Sequence, residues 1–257
     1  MRYLFIEYRR AFFSYKFIVG VIGVTITHFL SIFKIAGINS SVYNTYITAR
    51  YFIPFIASMT FCTMCYAQSL CEDQEHFFLR QLNMRKSLRI YTISKIIVIS
   101  MTAILAMVLG TMIFVLIVHV KVPWVLQGEI LNTDILANFF QRTQFFPLYF
   151  VTDSLYTGML AAMISVLAAY ISLFWKNKLF VLSIPFMSFF LWNYFIKNLW
   201  NEISFLDFGL IFNPSLNLNN NEGVDLVKPI VIYFVVMGVL GLCVYRKLRR
   251  SKKDGEI

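Results

Sequence analysis

Residues 96–119 read "IIVISMTAILAMVLGTMIFVLIVH", a stretch without a single Lys, Arg, Asp or Glu. A membrane-spanning helix needs about 20 predominantly apolar residues, because the hydrocarbon core of a bilayer is about 30 Å thick and each helical residue rises about 1.5 Å. The stretch is long enough, and it lacks the alternation of apolar and polar residues that a barrel strand would show. We therefore predict a transmembrane helix here.

The composition of the whole chain agrees with this prediction. Among its 257 residues, 59% are apolar and 14% are charged, whereas a globular domain has about 45–50% and about 25%. A soluble fold of this length could not bury 27 Phe side chains. Disorder is excluded too, because the chain has ample apolar surface to offset the entropy of folding. Four Cys in so apolar a chain do not indicate a disulfide framework.

The apolar stretches predict an all-α integral membrane protein with a single transmembrane domain over residues 1–257. Six spans are expected, at about 17–33, 51–71, 96–119, 148–174, 179–196 and 229–245. With six spans both termini lie on one side, and that side holds 17 of the 23 Lys and Arg residues, including the basic tail 246–257. The positive-inside rule predicts that both ends are cytoplasmic. The net charge of +10 then reflects topology, and no nucleic-acid partner is expected.

The first 16 residues, "MRYLFIEYRRAFFSYK", predict an amphipathic helix in the membrane plane. On a helical wheel one side is apolar, with Leu4, Phe5, Tyr8, Ala11, Phe12 and Tyr15. The basic residues gather largely on another side, where they could reach lipid phosphate: Arg2, Arg9, Arg10 and Lys16. The alternative is a basic flank of the first span that happens to be helical.

The segment between the second and third spans, residues 72–95, is "EDQEHFFLRQLNMRKSLRIYTISK". Its acidic start suits a helix N-terminus, where the helix dipole favours negative charge. An apolar knob of Phe77, Phe78, Leu79 and Leu82 follows, and then the basic residues Arg85, Lys86, Arg89 and Lys95. An exposed apolar patch rimmed with charges is typical of a docking surface for another protein. The alternative is that the knob folds back onto the bilayer or the ends of the spans.

Beyond the fifth span, residues 205–214, "FLDFGLIFNP", are apolar enough to dip into the membrane. A re-entrant or interfacial hairpin is predicted there, shielded by protein because backbone at membrane depth must have its hydrogen bonds satisfied.

Several chemistries have no motif in this chain. It contains no G-x-x-x-x-G-K-[ST] phosphate loop and no H-E-x-x-H, and its three His lie in different segments. Cys62 and Cys65 lie one turn apart in an apolar helix and are interpreted as packing residues. We therefore predict no catalytic residue and no metal site. Asp153 is the only acidic residue within a predicted span. Ion-coupled carriers normally need intramembrane acids or His, so energy is expected to come from outside the bilayer.

These features together resemble the permease subunits of ABC transporters of the ABC-2 type. The N-terminal helix is similar to the family's elbow helix, and "EHFFLRQLNMRKSLRIYTISKII" is similar to its coupling helix. The matching positions are Glu75, Phe77, Phe78, Leu79, Leu82, Arg85, Arg89 and Lys95, with His76 and Arg80 inside the same segment. The family's frequent Gly after the acidic residue and Pro at the turn are missing; His76, Asn83 and Met84 stand nearby instead, which leaves the register open by a few residues.

The resemblance implies a non-enzymatic subunit without a cofactor of its own. ATP and Mg²⁺ would be bound by cytoplasmic ABC ATPase subunits, and a second permease subunit, identical or homologous, would complete the path. Because the spans carry so little charge, we expect an apolar or amphipathic cargo: a lipid, a hydrophobic drug or an antimicrobial peptide. Membrane lipid is a further partner, and the composition suits a bacterial cell membrane.

Two other functions remain open from the sequence, besides the ion-coupled carrier that the scarcity of intramembrane charge disfavours. One is a membrane anchor or sensor that recruits a cytoplasmic partner without transport. The other is a membrane-embedded enzyme acting on lipid or peptide, which would need convergent polar groups that the spans hardly offer.

Overall fold

The computed structural model describes residues 2–33, 41–50, 54–75, 88–126, 135–142, 145–175, 177, 179–185, 187–188, 191, 211–213 and 222–253. All regular structure within these ranges is α-helical. The long elements are α1 (Arg2–Phe12), α2 (Tyr15–Phe33), α3 (Val42–Arg50), α4 (Pro54–Tyr66), α5 (Ser69–Glu75), α6 (Leu88–His119), α7 (Ile135–Arg142), α8 (Pro147–Ser172) and α9 (Glu222–Lys253). Residues 179–185 are helical as well.

Four of these helices, α2, α6, α8 and α9, are long and apolar enough to cross a membrane. They mark the chain as a membrane protein and confirm the predicted all-helical class. They coincide with the predicted first, third, fourth and last spans, although two of them begin earlier than expected. α6 begins at Leu88 rather than Ile96, and α9 begins at Glu222 with Pro229 inside it.

The predicted second span is divided. Within 51–71, α4 ends at Tyr66, two turn residues follow, and α5 begins at Ser69. The acidic residues at 72–75 therefore lie in α5 itself, and the expectation that they begin a new helix is wrong for Asp73 and Glu75, which are in its last turn. The Asp73 carboxylate cannot be stabilised there by the N-terminal end of the dipole, since the C-terminal end of a helix repels negative charge.

Most of the remaining predictions on topology lie outside the described residues. These are residues 186, 189–190 and 192–196 of the fifth span and the greater part of the hairpin at 205–214. The six-span count and the cytoplasmic location of the termini stay predictions.

The core forms around α6, which packs against α1, α2, α3, α4, α8 and α9. Close contact between α2 and α6 depends on Gly110, because a Cβ added there would lie 2.6 Å from Val24 Cβ and 2.9 Å from the Val21 carbonyl oxygen. The Thr25 hydroxyl donates a hydrogen bond to the Gly110 carbonyl across this contact, at 3.0 Å. Small residues that let helix backbones approach are typical of helix packing in membranes.

The outer surface of the bundle is apolar, as lipid contact requires. Along α2 the side chains at every fourth position, Ile18, Ile22, Ile26 and Leu30, are about half exposed. Among the four spanning helices, α8 is the most buried and α9 the least. In the apolar stretch of α8, 67% of the residues are buried inside the bundle, and in that of α9 only 22%. α9 therefore contributes the largest share of open helix surface among the four.

The predicted N-terminal amphipathic helix corresponds to α1, and the side of it that packs against the bundle is mixed in character. Tyr3, Glu7 and Ala11, spaced one turn apart, are buried against the bundle, whereas Phe5 is 67% exposed. The predicted apolar side of α1 is thus divided, because Phe5 faces outward, where an in-plane helix would contact lipid, whereas Ala11 packs against the bundle.

Candidate functional site

The predicted coupling segment is bounded by two helices that the structure describes. α5 ends at Glu75 and α6 begins at Leu88. Between them, His76, Phe77, Phe78, Leu79, Arg80, Leu82 and Arg85 lie outside the described residues. Among the predicted site residues of this segment, Arg89 and Lys95 are therefore the ones whose side chains can be placed.

Lys95 is at the centre of a buried group of charges, which we call the inner cluster: Glu7, Asp73 and Lys95. Their side chains are 2%, 1% and 0% exposed. Lys95 Nζ lies 2.8 Å from Glu7 Oε2 and 2.7 Å from Asp73 Oδ2. Three helices that are far apart in the chain, α1, α5 and α6, are joined at this one ammonium group.

Three tyrosines satisfy the remaining polar atoms of the inner cluster. The Tyr3 hydroxyl donates to Glu7 Oε1 at 2.8 Å, and the Tyr91 hydroxyl donates to Asp73 Oδ2 at 2.8 Å. Tyr66, at the end of α4, donates to Glu7 Oε2 and accepts from Lys95 Nζ at 3.4 Å. The ammonium group thus has three acceptors for its three protons.

The cluster also affects the titration of Tyr3. Burial, followed by the negative charge of Glu7, raises the pKa of Tyr3 above its ordinary value. Tyr3 therefore stays a neutral hydrogen-bond donor over the whole physiological pH range.

A rim of partly exposed charges surrounds the inner cluster: Arg10, Lys16 and Glu72. Arg10 Nη1 lies 3.0 Å from Asp73 Oδ1, and Arg10 Nη2 lies 3.7 Å from Glu72 Oε2. Lys16 pairs with Glu72 as well. Burial works against the charged guanidinium of Arg10, but the hydrogen bond to Asp73 and its charge outweigh burial and raise the pKa of Arg10 above its ordinary value.

Cluster and rim together hold three carboxylates and three cations, so the group is balanced in charge. A buried ion pair gains little net stability over apolar packing, but losing one partner is costly because the other charge stays buried. The arrangement therefore specifies how α1, α4, α5 and α6 sit against one another at this end of the bundle.

The basic residues predicted in α1 are distributed between two environments. Arg10 and Lys16 bind carboxylates of α5 rather than pointing away from the protein, whereas Arg9 is exposed. Arg2 is the first residue of α1. Arg89, at the start of α6, is exposed and donates a hydrogen bond to the Tyr245 hydroxyl of α9 at 3.4 Å.

Sequence reasoning singled out Lys95, Arg10 and Lys16 but missed Glu7 and Tyr3. One signal was present: Glu7 is the only acidic residue among the first 16, and Tyr3 lies one turn before it. The partner of Glu7 could not be read from the sequence, because Lys95 follows 88 positions later and in another predicted segment.

A second polar group, the outer cluster, lies at the opposite end of the bundle. Asp153, which is fully buried in α8, accepts hydrogen bonds from Tyr46 and Arg50 of α3, both at 2.5 Å to its Oδ2. Arg50 also donates to Asn213 Oδ1 at 3.3 Å. Asp153 Oδ1 is buried without a hydrogen-bond partner among the described residues. Asp153 is thus ion-paired within the chain rather than presented to a free ion.

In the described part of the chain, no three His, Cys, Asp or Glu side chains are close enough to hold a metal ion. Cys62 and Cys65 are both free and buried in the core.

Comparison of this chain with protein-family models, with curated proteins and with solved structures gives no match in any of the three.

Proposed function

We propose that this chain is the transmembrane permease subunit of an ATP-driven transporter of the ABC-2 type. The observation that carries the proposal is the inner cluster, since Asp73 and Lys95 lie near the two ends of the predicted coupling segment, 72–95, and their side chains are 2.7 Å apart. Both ends of that segment are thereby fixed to one rigid group, which also holds α1 through Glu7.

A rigid base of this kind suits the transmission of force. If a cytoplasmic partner moves residues 76–87, the displacement reaches α4, α5 and α6 through charges that cannot separate cheaply, because each would be left unpaired in a buried site. Bundle motion would then follow the movement of the partner rather than being absorbed by a flexible loop.

The source of energy is a separate protein in this proposal. The chain has no phosphate-binding loop of its own, so ATP and Mg²⁺ belong to a cytoplasmic ATPase that docks on Phe77, Phe78 and their neighbours. Two permease subunits, identical or homologous, would form the path. An apolar or amphipathic cargo, exported or cleared from the membrane, fits a bundle whose spanning surfaces are apolar.

An ion-coupled carrier is less well supported. Asp153, the acid that such a carrier could use, is paired with Arg50 at 2.5 Å. Coupling by this group would require that ion pair to open in a fully buried site, which is costly.

The docking surface is tested by replacing Phe77 and Phe78 with Asp in the full chain, co-expressed with candidate ABC ATPases from the same cell. We expect the ATPase to be lost from the purified complex. Phe33→Asp is the matched control, because Phe33 is 81% exposed at the opposite end of α2 and should leave the complex intact. Undiminished co-purification and transport with both Phe residues changed would refute the docking role.

The permease and the membrane anchor differ in one measurable property. Cargo-stimulated ATP hydrolysis in reconstituted vesicles is expected of a permease complex. A complex that assembles but hydrolyses ATP at the same rate with and without every cargo offered would favour the anchor or sensor.

A further inference from the structure

A groove of about 490 Å³ runs between α6 and α9 on the outer surface of the bundle. Ligand pockets commonly have volumes of about 300–1,000 Å³. The walls are apolar for most of its length and belong to both helices: Ile93, Ile96, Ile97, Met237, Gly238, Gly241 and Leu242. Its size and lining suit a hydrocarbon chain.

The open space is created by glycine on α9. A Cβ added at Gly238 would meet nothing within 4 Å, and one added at Gly241 would only touch Ile96 Cδ1, at 3.4 Å. At Gly110, by contrast, the neighbouring helix α2 occupies the space that a Cβ would need. Gly238 therefore leaves a gap that none of the described protein atoms fills.

The groove has one polar end, formed by Arg89, Thr92 and Tyr245. Arg89 donates to the Tyr245 hydroxyl, and no carboxylate of the described residues lies within ion-pair distance of its guanidinium. The exposed Arg246 and Arg249 continue this positive charge along α9. A negatively charged group is the complement that this end lacks.

The dimensions indicate which kind of molecule fits. From Arg89 to Ile97 an α-helix advances about 12 Å, and the hydrocarbon core of a bilayer is about 30 Å thick. The groove is thus nearly as long as the hydrocarbon of one leaflet is thick, and its basic end lies on the polar side of the apolar stretch 96–119. Juxtamembrane arginines are attracted to anionic lipids in the same way.

We infer that the α6–α9 groove is a binding site for one anionic phospholipid, with an acyl chain along Gly238 and Gly241 and its phosphate at Arg89. This inference goes beyond the proposed function and does not depend on it, since the lipid would be bound with or without an ATPase partner.

The test is a titration of the delipidated full chain in detergent with phosphatidylglycerol or phosphatidylcholine of the same acyl chains, followed by native mass spectrometry. We expect phosphatidylglycerol to bind about tenfold more tightly, because both lipids carry a phosphate but the choline cation of phosphatidylcholine cancels its charge, whereas phosphatidylglycerol keeps a net negative charge to face the arginines. Arg89→Gln should abolish that preference. Arg9→Gln, which removes an exposed Arg on α1, should leave it unchanged.

Gly238→Leu tests the acyl-chain part of the site. Folding should be preserved, because the added side chain enters open space and Leu has a higher helix propensity than Gly. If the groove holds an acyl chain, the affinity for both lipids should fall at least about tenfold. Equal lipid binding by wild type, Arg89→Gln and Gly238→Leu would overturn the inference. A loss of dimer mass in Gly238→Leu without a change in lipid binding would overturn it too, since a second copy of the chain would then occupy the groove.

Discussion

Replacing Lys95 with Met should destabilise the folded chain more than any other single loss of charge at the inner end of the bundle. The substitution keeps an unbranched side chain of similar length but removes the ammonium group that lies 2.8 Å from Glu7 and 2.7 Å from Asp73. Glu7 would keep only its hydrogen bonds from Tyr3 and Tyr66. Removing one partner of a buried ion pair costs about 3–5 kcal/mol.

The matched control is Lys16→Met. Lys16 also binds a carboxylate, that of Glu72, but both side chains are 21% exposed. Solvent screens such a pair, and its loss is expected to cost about 0–1 kcal/mol. The two substitutions remove the same charge from the same end of the bundle and differ mainly in burial.

The free energy of unfolding can be measured for the full chain in mixed micelles of mild detergent and SDS, followed by tryptophan fluorescence. A triple variant, Lys95→Met with Glu7→Gln and Asp73→Asn, should recover part of the lost stability. The amides carry no charge and can still accept the hydrogen bonds from Tyr3 and Tyr91. A loss of stability for Lys95→Met no greater than for Lys16→Met would refute the reasoning that Lys95 offsets two buried carboxylates.

Three further variants extend the test to the rest of the molecule. Gly110→Ala should lower the melting temperature in detergent and cost about 1–3 kcal/mol of stability, because the new Cβ would lie 2.6 Å from Val24 Cβ. Helix propensity alone would favour Ala. An unchanged melting temperature would contradict the α2–α6 packing. Arg50→Met should cost about 3–5 kcal/mol in an unfolding titration, because fully buried Asp153 loses its cation, and a loss below 1 kcal/mol would argue against that pair. Tyr3→Phe should be less sensitive to alkali. The pKa of Tyr3 is raised in the folded state, so the stabilising contribution of Tyr3 is complete below its ordinary pKa near 10 and is lost at higher pH. The stability advantage of wild type over the variant should therefore shrink above about pH 10. A constant difference through that range would contradict the raised pKa.

The sequence was sufficient to predict four of the spanning helices because the signal for each is local. An unbroken apolar run such as 96–119 needs no information from elsewhere in the chain. The predicted helix ends were less accurate, because α6 and α9 begin before their apolar parts. Residues 88–95 belong to α6 and residues 222–228 to α9.

The inner cluster could not be predicted, because its members come from three separate segments. The sequence places Lys95 at the start of a span, next to polar residues. Such a position predicts a lysine at the membrane surface and not one in a fully buried site. Its burial depends on Glu7 and Asp73 arriving from α1 and α5, which is a property of the packed bundle. The division between α4 and α5 was missed for a related reason: an apolar stretch from 51 to 71 does not reveal where tertiary contacts interrupt a helix.

The role of residues 76–87 as the contact with an ATPase is tested most directly by site-specific photo-crosslinking. A photoreactive amino acid at position 77 of the full chain, in membranes of the cells that naturally make this protein, would record what touches this segment. We predict a crosslink to a P-loop ATPase, identified by mass spectrometry, with a yield that changes when ATP is replaced by ADP. Crosslinks to lipid or to this chain alone, at every nucleotide tested, would contradict the proposal that the permease is driven through this segment.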